Sequence, residues 1–263
     1  MNFAALPGFL GRATITAIVV VLASVIAEVA GPVLGGLAAS LPVSGGPTYI
    51  FLALTHDASF VSASALSSFA ANAATIAFLA TYARLVPGRS RLAALIPPII
   101  SWLILALLIR GIQWTAVTAA ILNAGVLVGG ILVTRQTLKM DRAVQPRARA
   151  TRGDLAGRAL AVAVFVASLL WLSAALGPSA TGVIASFPIV FIMLIFLLHR
   201  RLGDAACAIL AATALQAMGG FGLMFLVAHL TVVPLGPLVG LSLALLTTVT
   251  WSAALAYLHL RLG

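Results

Sequence analysis

Charged residues are scarce in this chain of 263 residues, and acidic residues are the scarcest of all. Only 8% of the residues are charged and 5 are Asp or Glu, whereas 62% are hydrophobic. An ordinary soluble domain is about a quarter charged and about half apolar. The composition therefore predicts an all-α, polytopic membrane protein. The longest polar gap, residues 135–158, is too short for a soluble catalytic domain.

The chain also lacks the motifs that common classes of enzyme carry. Its single cysteine, Cys207, excludes an internal disulfide. It has no His-Glu-x-x-His metal motif and no phosphate-binding glycine loop that leads into a lysine. The sequence Ser44-Gly45-Gly46 alone is too weak a pattern to indicate a nucleophile. We therefore expect no enzyme activity, no cofactor and no metal site.

Windows of about twenty apolar residues predict nine membrane spans. They cover residues 13–30, 33–54, 59–82, 92–110, 114–134, 158–176, 179–198, 205–229 and 236–259. With the N-terminus outside, thirteen of the 15 Lys and Arg residues lie on the cytoplasmic side, as the positive-inside rule requires. We therefore expect a cytoplasmic C-terminus. The net charge of +10 then indicates membrane lipids as partners and no nucleic acid.

An internal repeat divides the chain, because residues 31–42 recur 146 positions later as residues 177–188. Spans 1–4 form one unit, span 5 is a connector and spans 6–9 form the second unit. Since five spans precede the second unit, the two four-helix repeats are predicted to be inverted, as in many secondary transporters. The predicted units are residues 1–90 (spans 1–3), 91–134 (span 4 and the connector), 135–157 (a basic cytoplasmic linker) and 158–263 (the second repeat). Six of the twelve aligned pairs are identical: Gly31/Gly177, Pro32/Pro178, Gly36/Gly182, Ala39/Ala185, Ser40/Ser186 and Pro42/Pro188.

The repeated segment is apolar enough to enter a bilayer, yet glycine and proline interrupt it. Proline removes a backbone donor, and freed polar groups persist in a membrane only if they are buried in protein or line a wet cavity. Broken segments at matching places in two halves are typical of a transporter's substrate site. A second interpretation is that small residues only allow helices to pack closely. The candidate solute-binding residues are Ser40, Pro42, Ser44, Gly45, Gly46, Thr48, Tyr49, Asn72, Ser186, Pro188 and Gln216.

Three further residues are candidates for coupling or gating. Glu28 is the only acidic residue inside a predicted span, where a carboxylate is costly and by default functional. It is a candidate carrier of a coupling proton, or a residue that reaches the headgroups. His56 and Asp57 precede the third span; they form either a gate or a helix cap, since Asp57-Ala58-Ser59 is typical of an N-cap.

The segment Gly182-Val183-Ile184-Ala185-Ser186-Phe187-Pro188, followed by His199-Arg200-Arg201-Leu202-Gly203, resembles the GlpM-like family of small bacterial inner-membrane proteins. That family has a similar small-residue–Phe–Pro segment ahead of a short polar loop. The resemblance is confined to one repeat, and the first half departs from it at Ser44-Gly45-Gly46-Pro47. It implies a location in the bacterial inner membrane and no particular mechanism.

The sequence thus favours a secondary transporter of a small anionic or zwitterionic solute, with alternating access. Two other functions stay open. The chain could be a lipid- or polyprenyl-phosphate-handling protein, and that hypothesis predicts a cavity that opens sideways to the bilayer. A structural subunit of an envelope-assembly complex predicts no enclosed polar cavity and a stable protein partner. The sequence leaves homo-oligomerisation open.

Overall fold

The structure is a computed structural model, and it describes residues 37, 45–138, 157, 160, 164, 168 and 175–262. This part of the chain is helical and contains no β-strand. We number its helices α1 to α7. They are α1 Gly45–Thr55, α2 Ala58–Leu85, α3 Arg91–Arg110, α4 Ala116–Leu138, α5 Ala175–Ala185, α6 Ile189–Leu235 and α7 Pro237–Leu262.

Helix α6 consists of two helices that meet at Gly203. This glycine has φ 78° and ψ 174°, a conformation that is not helical and that only glycine adopts without strain. We call residues 189–202 α6a and the longer part, Gly203–Leu235, α6b.

Five helices of the described part are long and apolar enough to cross a membrane, which confirms a multi-pass membrane protein. They are α2, α3, α4, α6b and α7, and the bent pair of α5 with Ile189–Phe196 makes up to six. These helices coincide with predicted spans 3, 4, 5, 8, 9 and 7, respectively. The first span, half of the second and most of the sixth lie outside the described residues, so the count of nine and the inverted repeats stay predictions.

Helix α2 forms the centre of the bundle because small residues dominate its sequence. Of its apolar core window, 72% is buried, against 17% to 39% for the other four spans. Alanine and serine on several of its faces let neighbouring backbones approach closely, which is how helices associate in lipid. The side chain of Asp57 starts the helix, as its Oδ1 accepts from the amide of Phe60 at 2.7 Å.

Helices α2 and α6b pack against each other and run antiparallel. Near the start of α2, Ser62 donates to the carbonyl of His229, late in α6b, at 2.8 Å. Midway along, Asn72 donates to the carbonyl of Met218 at 3.1 Å. Beyond the end of α2, the amide of Gly88 donates to Asp204 at 2.8 Å.

Helices α6b and α7 form a tight antiparallel hairpin. The turn is at Gly236, whose φ is 80°. The indole of Trp251 lies directly against Gly220, where an added Cβ would stand 2.5 Å from the Trp251 Cβ. The outer faces of α3, α4 and α7 expose large apolar side chains such as Leu107 and Leu238, as expected of lipid-facing surfaces.

Candidate functional site

The helix break predicted at Pro188 is present. Helix α5 ends at Ala185, α6a begins at Ile189, and the two helices are bent by 41°. Residues 186–188 between them are not helical, and Ser186 and Pro188 are buried. The equivalent prediction at Ser40 and Pro42 lies outside the described residues, as do Ser44 and Glu28.

The end of α5 tightens before the break, which frees backbone carbonyls. The amide of Ser186 donates to the Val183 carbonyl at 3.2 Å, and that of Phe187 donates to the Ile184 carbonyl at 2.9 Å. In both bonds the amide donates to the carbonyl three residues earlier, as in a 3₁₀-helix, and not to the carbonyl four residues earlier, as in an α-helix. The carbonyl of Gly182 thereby loses the amide of Ser186 as its usual partner, and it needs another inside the membrane.

Hydroxyl groups of α2 supply the missing donors. Ser68 Oγ donates to the carbonyl of Gly182 at 2.7 Å, and Thr75 Oγ1 donates to the carbonyl of Ser186 at 2.9 Å. Both side chains are buried. They stand seven residues apart on one face of α2. Helix α2 therefore holds the broken helix at two points, at Gly182 in the last turn of α5 and at Ser186 just after its end.

Ser68 and Thr75 belong to a buried polar row on α2 that we define as Ser64, Ser68, Asn72 and Thr75. Helical periodicity predicts one interior face of α2 with Ser64, Ser67, Ser68, Asn72 and Thr75; the four residues of the row are at most 3% exposed, whereas Ser67 is only partly buried. The row also reaches other helices. The hydroxyl of Tyr49 lies 2.7 Å from Ser68 Oγ.

Trp102 of α3 connects this row to the break itself. Its Nε1 donates to Thr75 Oγ1 at 3.2 Å. Its ring meets Phe187 edge to face, with 4.9 Å between the ring centroids, a favoured aromatic geometry. The break is therefore fixed by side chains from two different helices.

Asn72 links α2 to α4 and α6b. Its Nδ2 donates to Asn123 Oδ1 at 2.9 Å and to the Met218 carbonyl at 3.1 Å. Asn123 in turn donates to the carbonyl of Phe69 at 2.7 Å and to that of Ala119 at 3.0 Å. Asn72, a candidate solute-binding residue, thus forms interhelical hydrogen bonds, and its Oδ1 is buried without a partner; solute binding by Asn72 stays a prediction.

Gly182 shows that close packing contributes to the same site. A Cβ at this position would stand 2.1 Å from the carbonyl oxygen of Ser64 and 2.8 Å from the Cβ of Ser67. No real side chain tolerates such distances, so α5 touches α2 backbone to backbone. Close packing, the second interpretation of the small-residue segment, is therefore observed at Gly182, and solute binding there stays a prediction.

The predicted residues of α1 pack against α6b and α7, and Tyr49 also reaches Ser68 of the polar row. Gly45 lies against Phe221, and Gly46 and Tyr49 line a cavity of about 10 Å³ with apolar residues of α6b and α7. That volume holds about one water molecule. Thr48 is buried and Gln216 is partly buried. The described residues thus place the candidates at two positions, around the break and around the first turn of α1.

The junction between α1 and α2 has the geometry of a helix cap. Asp57 Oδ1 accepts from the Phe60 amide and from the Ser59 hydroxyl at 2.8 Å. The Phe60 amide, and then the Ser59 hydroxyl, lower the pKa of the Asp57 carboxyl below its usual value of 3.8. The ring of His56 stacks on Phe60 with centroids 3.9 Å apart. The gating role proposed for His56 and Asp57 stays a prediction.

A cluster at the C-terminal end of α2 was not predicted from the sequence. It consists of Tyr82, Gly88, Arg89, His199 and Asp204. His199 Nε2 donates to the Arg89 carbonyl at 3.1 Å, and its Nδ1 lies 3.1 Å from the Tyr82 hydroxyl. Asp204 accepts from the Gly88 amide. In the sequence, His199-Arg200-Arg201 at the end of span 7 is typical of an interfacial anchor, and Asp204-Ala205-Ala206 at the start of span 8 is typical of a helix cap. The one local feature that indicated a contact at this place was Gly203, which lies between His199 and Asp204.

Comparison of the chain with family models, with curated proteins and with solved structures finds no match in any of the three. The resemblance of the second repeat to the GlpM-like family is therefore not tested and stays an expectation.

Proposed function

We propose that this protein is a secondary transporter of a small anionic or zwitterionic solute, built from two inverted repeats that rock against each other. The observation that carries this proposal is the helix break at residues 186–188, buried in the bundle against a row of polar side chains. Discontinuous helices near the membrane midplane are the usual source of substrate sites in such transporters.

The positions of the helices support the repeat. Helix α3 begins at Arg91 and α7 at Pro237, which are 146 residues apart, the same offset as between the two glycine–proline segments. The same offset pairs Ala58, the first residue of α2, with Asp204 next to the kink of α6. Equivalent helices of the two halves therefore begin at equivalent positions.

The antiparallel packing of α2 on α6b supports the inversion. Repeats related by an axis along the membrane normal would place equivalent helices parallel, whereas an axis in the membrane plane places them antiparallel. Asn72 donates to the carbonyl of Met218, which is its own counterpart at the offset of 146. A contact between equivalent residues is expected where a two-fold axis passes between two helices.

The hydroxyl–carbonyl bonds at the break suggest how it moves. Ser68 and Thr75 hold the freed carbonyls with bonds each worth about 0.6–2 kcal/mol in a membrane. Such bonds are weak enough to be exchanged for bonds to a solute. In our proposal the structure represents a closed state, in which α2 occupies the acceptors that a solute would otherwise meet.

We further propose that the protein lies in a bacterial inner membrane, with its N-terminus outside and its C-terminus cytoplasmic. The basis is the distribution of Lys and Arg between the spans. Labelling of a cysteine introduced at Arg261, in intact cells and in inverted vesicles, tests this orientation; reaction in intact cells with a membrane-impermeant reagent would reverse it.

A structural subunit of a larger envelope complex is the second candidate, because close packing at Gly182 and the satisfied carbonyls also suit a rigid scaffold. The two functions differ in whether the protein alone moves a solute. Wild-type protein in proteoliposomes is exposed to a panel of small carboxylates, amino acids and phosphate esters, and charge movement is recorded on a solid-supported membrane. Transport predicts a current with at least one solute; a folded protein that gives none favours the scaffold.

The same assay tests the role of the break with a matched pair of variants. Thr75→Val removes the hydroxyl that holds the Ser186 carbonyl, whereas Thr134→Val removes a buried hydroxyl that donates to Gly130 and Ile131 of its own helix only. Transport predicts that Thr75→Val changes the rate several-fold while Thr134→Val does not. Equal effects of the two variants would mean that the break plays no part in flux.

A further inference from the structure

Helix α6a lies between two non-helical joints. At its start, residues 186–188 are not helical, and at its end Gly203 has φ 78° and ψ 174°. Among the described residues, no atom would lie within 4 Å of a Cβ added at Gly203, so nothing crowds this joint. A helix bounded in this way can turn as one segment, because a few residues at its ends absorb the change in φ and ψ.

Two hydrogen bonds fasten the Gly203 end of α6a to the turn that follows α2. On the α6a side of the kink, His199 Nε2 donates to the carbonyl of Arg89 at 3.1 Å. On the α6b side, Asp204 Oδ2 accepts from the amide of Gly88 at 2.8 Å. We call these two bonds the latch. Because both bonds reach the same turn, they hold the two sides of the kink at one angle.

The latch can open without leaving a buried polar group unpaired. Gly88 and Arg89 are exposed, and His199 and Asp204 are partly exposed, so water can replace each bond. The other end of α6a differs, since Ser186 is buried and a carbonyl freed inside the membrane has no water to accept from. The latch end of α6a is therefore the end that is released more easily.

The latch covers a buried thiol. The hydroxyl of Tyr82 lies 3.1 Å from His199 Nδ1 and forms a side-chain hydrogen bond with Cys207 of α6b. Tyr82 and Cys207 are both 0% exposed, as is Ile195 on the inner face of α6a. Movement of His199 away from Tyr82 would give water access to Cys207, which makes this thiol a native reporter of the latch.

The opposite end of the pair of α2 and α6b is fastened without α6a. Ser62 Oγ donates to the carbonyl of His229 at 2.8 Å, and His229 Nδ1 lies 3.0 Å from the carbonyl oxygen of Ser62. Both carbonyls lie within α-helices, where they also accept from the amide four residues later. Loss of the Ser62 hydroxyl should loosen this end only, so Ser62→Ala is a matched control for the latch.

We propose that α6a is the gate of the transporter at the end of the bundle where α2 terminates, and that the latch keeps this gate shut. This inference rests on the proposed function. When the latch opens, α6a turns about Gly203 and the break, and water enters along the path that α6a had filled. That path leads over about 20 Å, the length of α6a, to the carbonyl of Ser186. Solute then exchanges on this side of the membrane, which is cytoplasmic in the proposed orientation.

The test measures how fast Cys207 reacts in full-length protein in nanodiscs, where a reagent reaches both faces of the membrane. Iodoacetamide is used, because a neutral, polar reagent is neither attracted nor repelled by charge at residue 204. His199→Ala and Asp204→Ala each remove one bond of the latch. Each should raise the reaction rate about three- to tenfold, since the net loss of one hydrogen bond shifts an equilibrium by about that factor. Ser62→Ala should react at the wild-type rate.

Wild-type rates in both latch variants would overturn the proposal, and so would an equal acceleration in Ser62→Ala. One folded latch variant suffices, because His199 and Asp204 hold the same turn. Loss of a neighbouring charge can also change the ionisation of a thiol, so Ile195→Cys in the Cys207→Ala background repeats the measurement on α6a itself. The same acceleration is expected there, and unchanged rates would overturn the proposal.

The reaction rates do not depend on a solute, so they separate the gate from transport. Faster reaction of the latch variants without a current from any solute would keep the hinged movement of α6a and contradict transport. A solute current in wild type together with unchanged reaction rates in the latch variants would contradict only the gate.

Discussion

Gly182 offers a sharp test of how α5 is held against α2. Its position leaves no room for a methyl group, because a Cβ would stand 2.1 Å from the Ser64 carbonyl oxygen. Gly182→Ala must push the two backbones apart, and overpacking of this kind costs about 1–3 kcal/mol. The same displacement lengthens the bonds that Ser68 and Thr75 donate across the interface, at about 0.6–2 kcal/mol each.

The sum is a loss of about 2–7 kcal/mol in the free energy of unfolding. Unfolding of the purified protein in mixed micelles, followed by far-UV circular dichroism against increasing SDS, measures it. Gly129→Ala is the matched control, since nothing lies within 4 Å of a Cβ there. Alanine is the better helix former by about 1 kcal/mol, so Gly129→Ala should be neutral or stabilising. If the free energy of unfolding of Gly182→Ala lies within about 0.5 kcal/mol of the wild-type value, the described contact between α5 and α2 is wrong.

Three other outcomes are expected. Asn72→Ala removes two donated bonds and leaves Asn123 Oδ1 without its donor, so unfolding in SDS should become easier by about 1–3 kcal/mol; an unchanged midpoint would contradict the network. The lowered pKa of Asp57 means that its cap stabilises α2 above the ordinary value of 3.8 and that this contribution is lost as pH falls through the folded pKa. Amide exchange at Phe60 should therefore accelerate below about pH 4 in wild type and be independent of pH after correction for intrinsic rates in Asp57→Asn; the same acid response in both would contradict it. Gly203→Ala places a side chain at φ 78° and should destabilise by about 1–2 kcal/mol, whereas a neutral result in the same SDS titration would mean that the kink straightens.

Much of the described fold follows from hydrophobic length and from proline and glycine. The windows 92–110 and 236–259 coincide with α3 and α7 within a few residues, because apolar runs of that length have few other solutions in a membrane. The break at Pro188 was predictable because proline removes a backbone donor at a fixed place. The interior face of α2 followed from helical periodicity alone.

The partners of these residues did not follow from the sequence. Thr75 pairs with Ser186 across 111 positions, and no local pattern encodes which carbonyl a serine or threonine will meet. The boundary between predicted spans 7 and 8 does fall at Gly203, but the sequence did not reveal that the two helices meet there at a single non-helical glycine. The buried hydroxyls of Thr248 and Ser252 on α7, which have no hydrogen-bond partner, were likewise not predictable, since isolated hydroxyls are common in membrane helices, where they usually bond their own backbone.

A reversible cross-link tests the central claim most directly, namely that α2 must release the broken helix for a solute to pass. Thr75→Cys and Ser186→Cys are combined in the Cys207→Ala background, and the solute that drives the largest current in wild type is assayed before oxidation, after oxidation and after reduction. The account predicts that oxidation abolishes the current and that reduction restores it. A full current through protein shown by mass spectrometry to be cross-linked would contradict it.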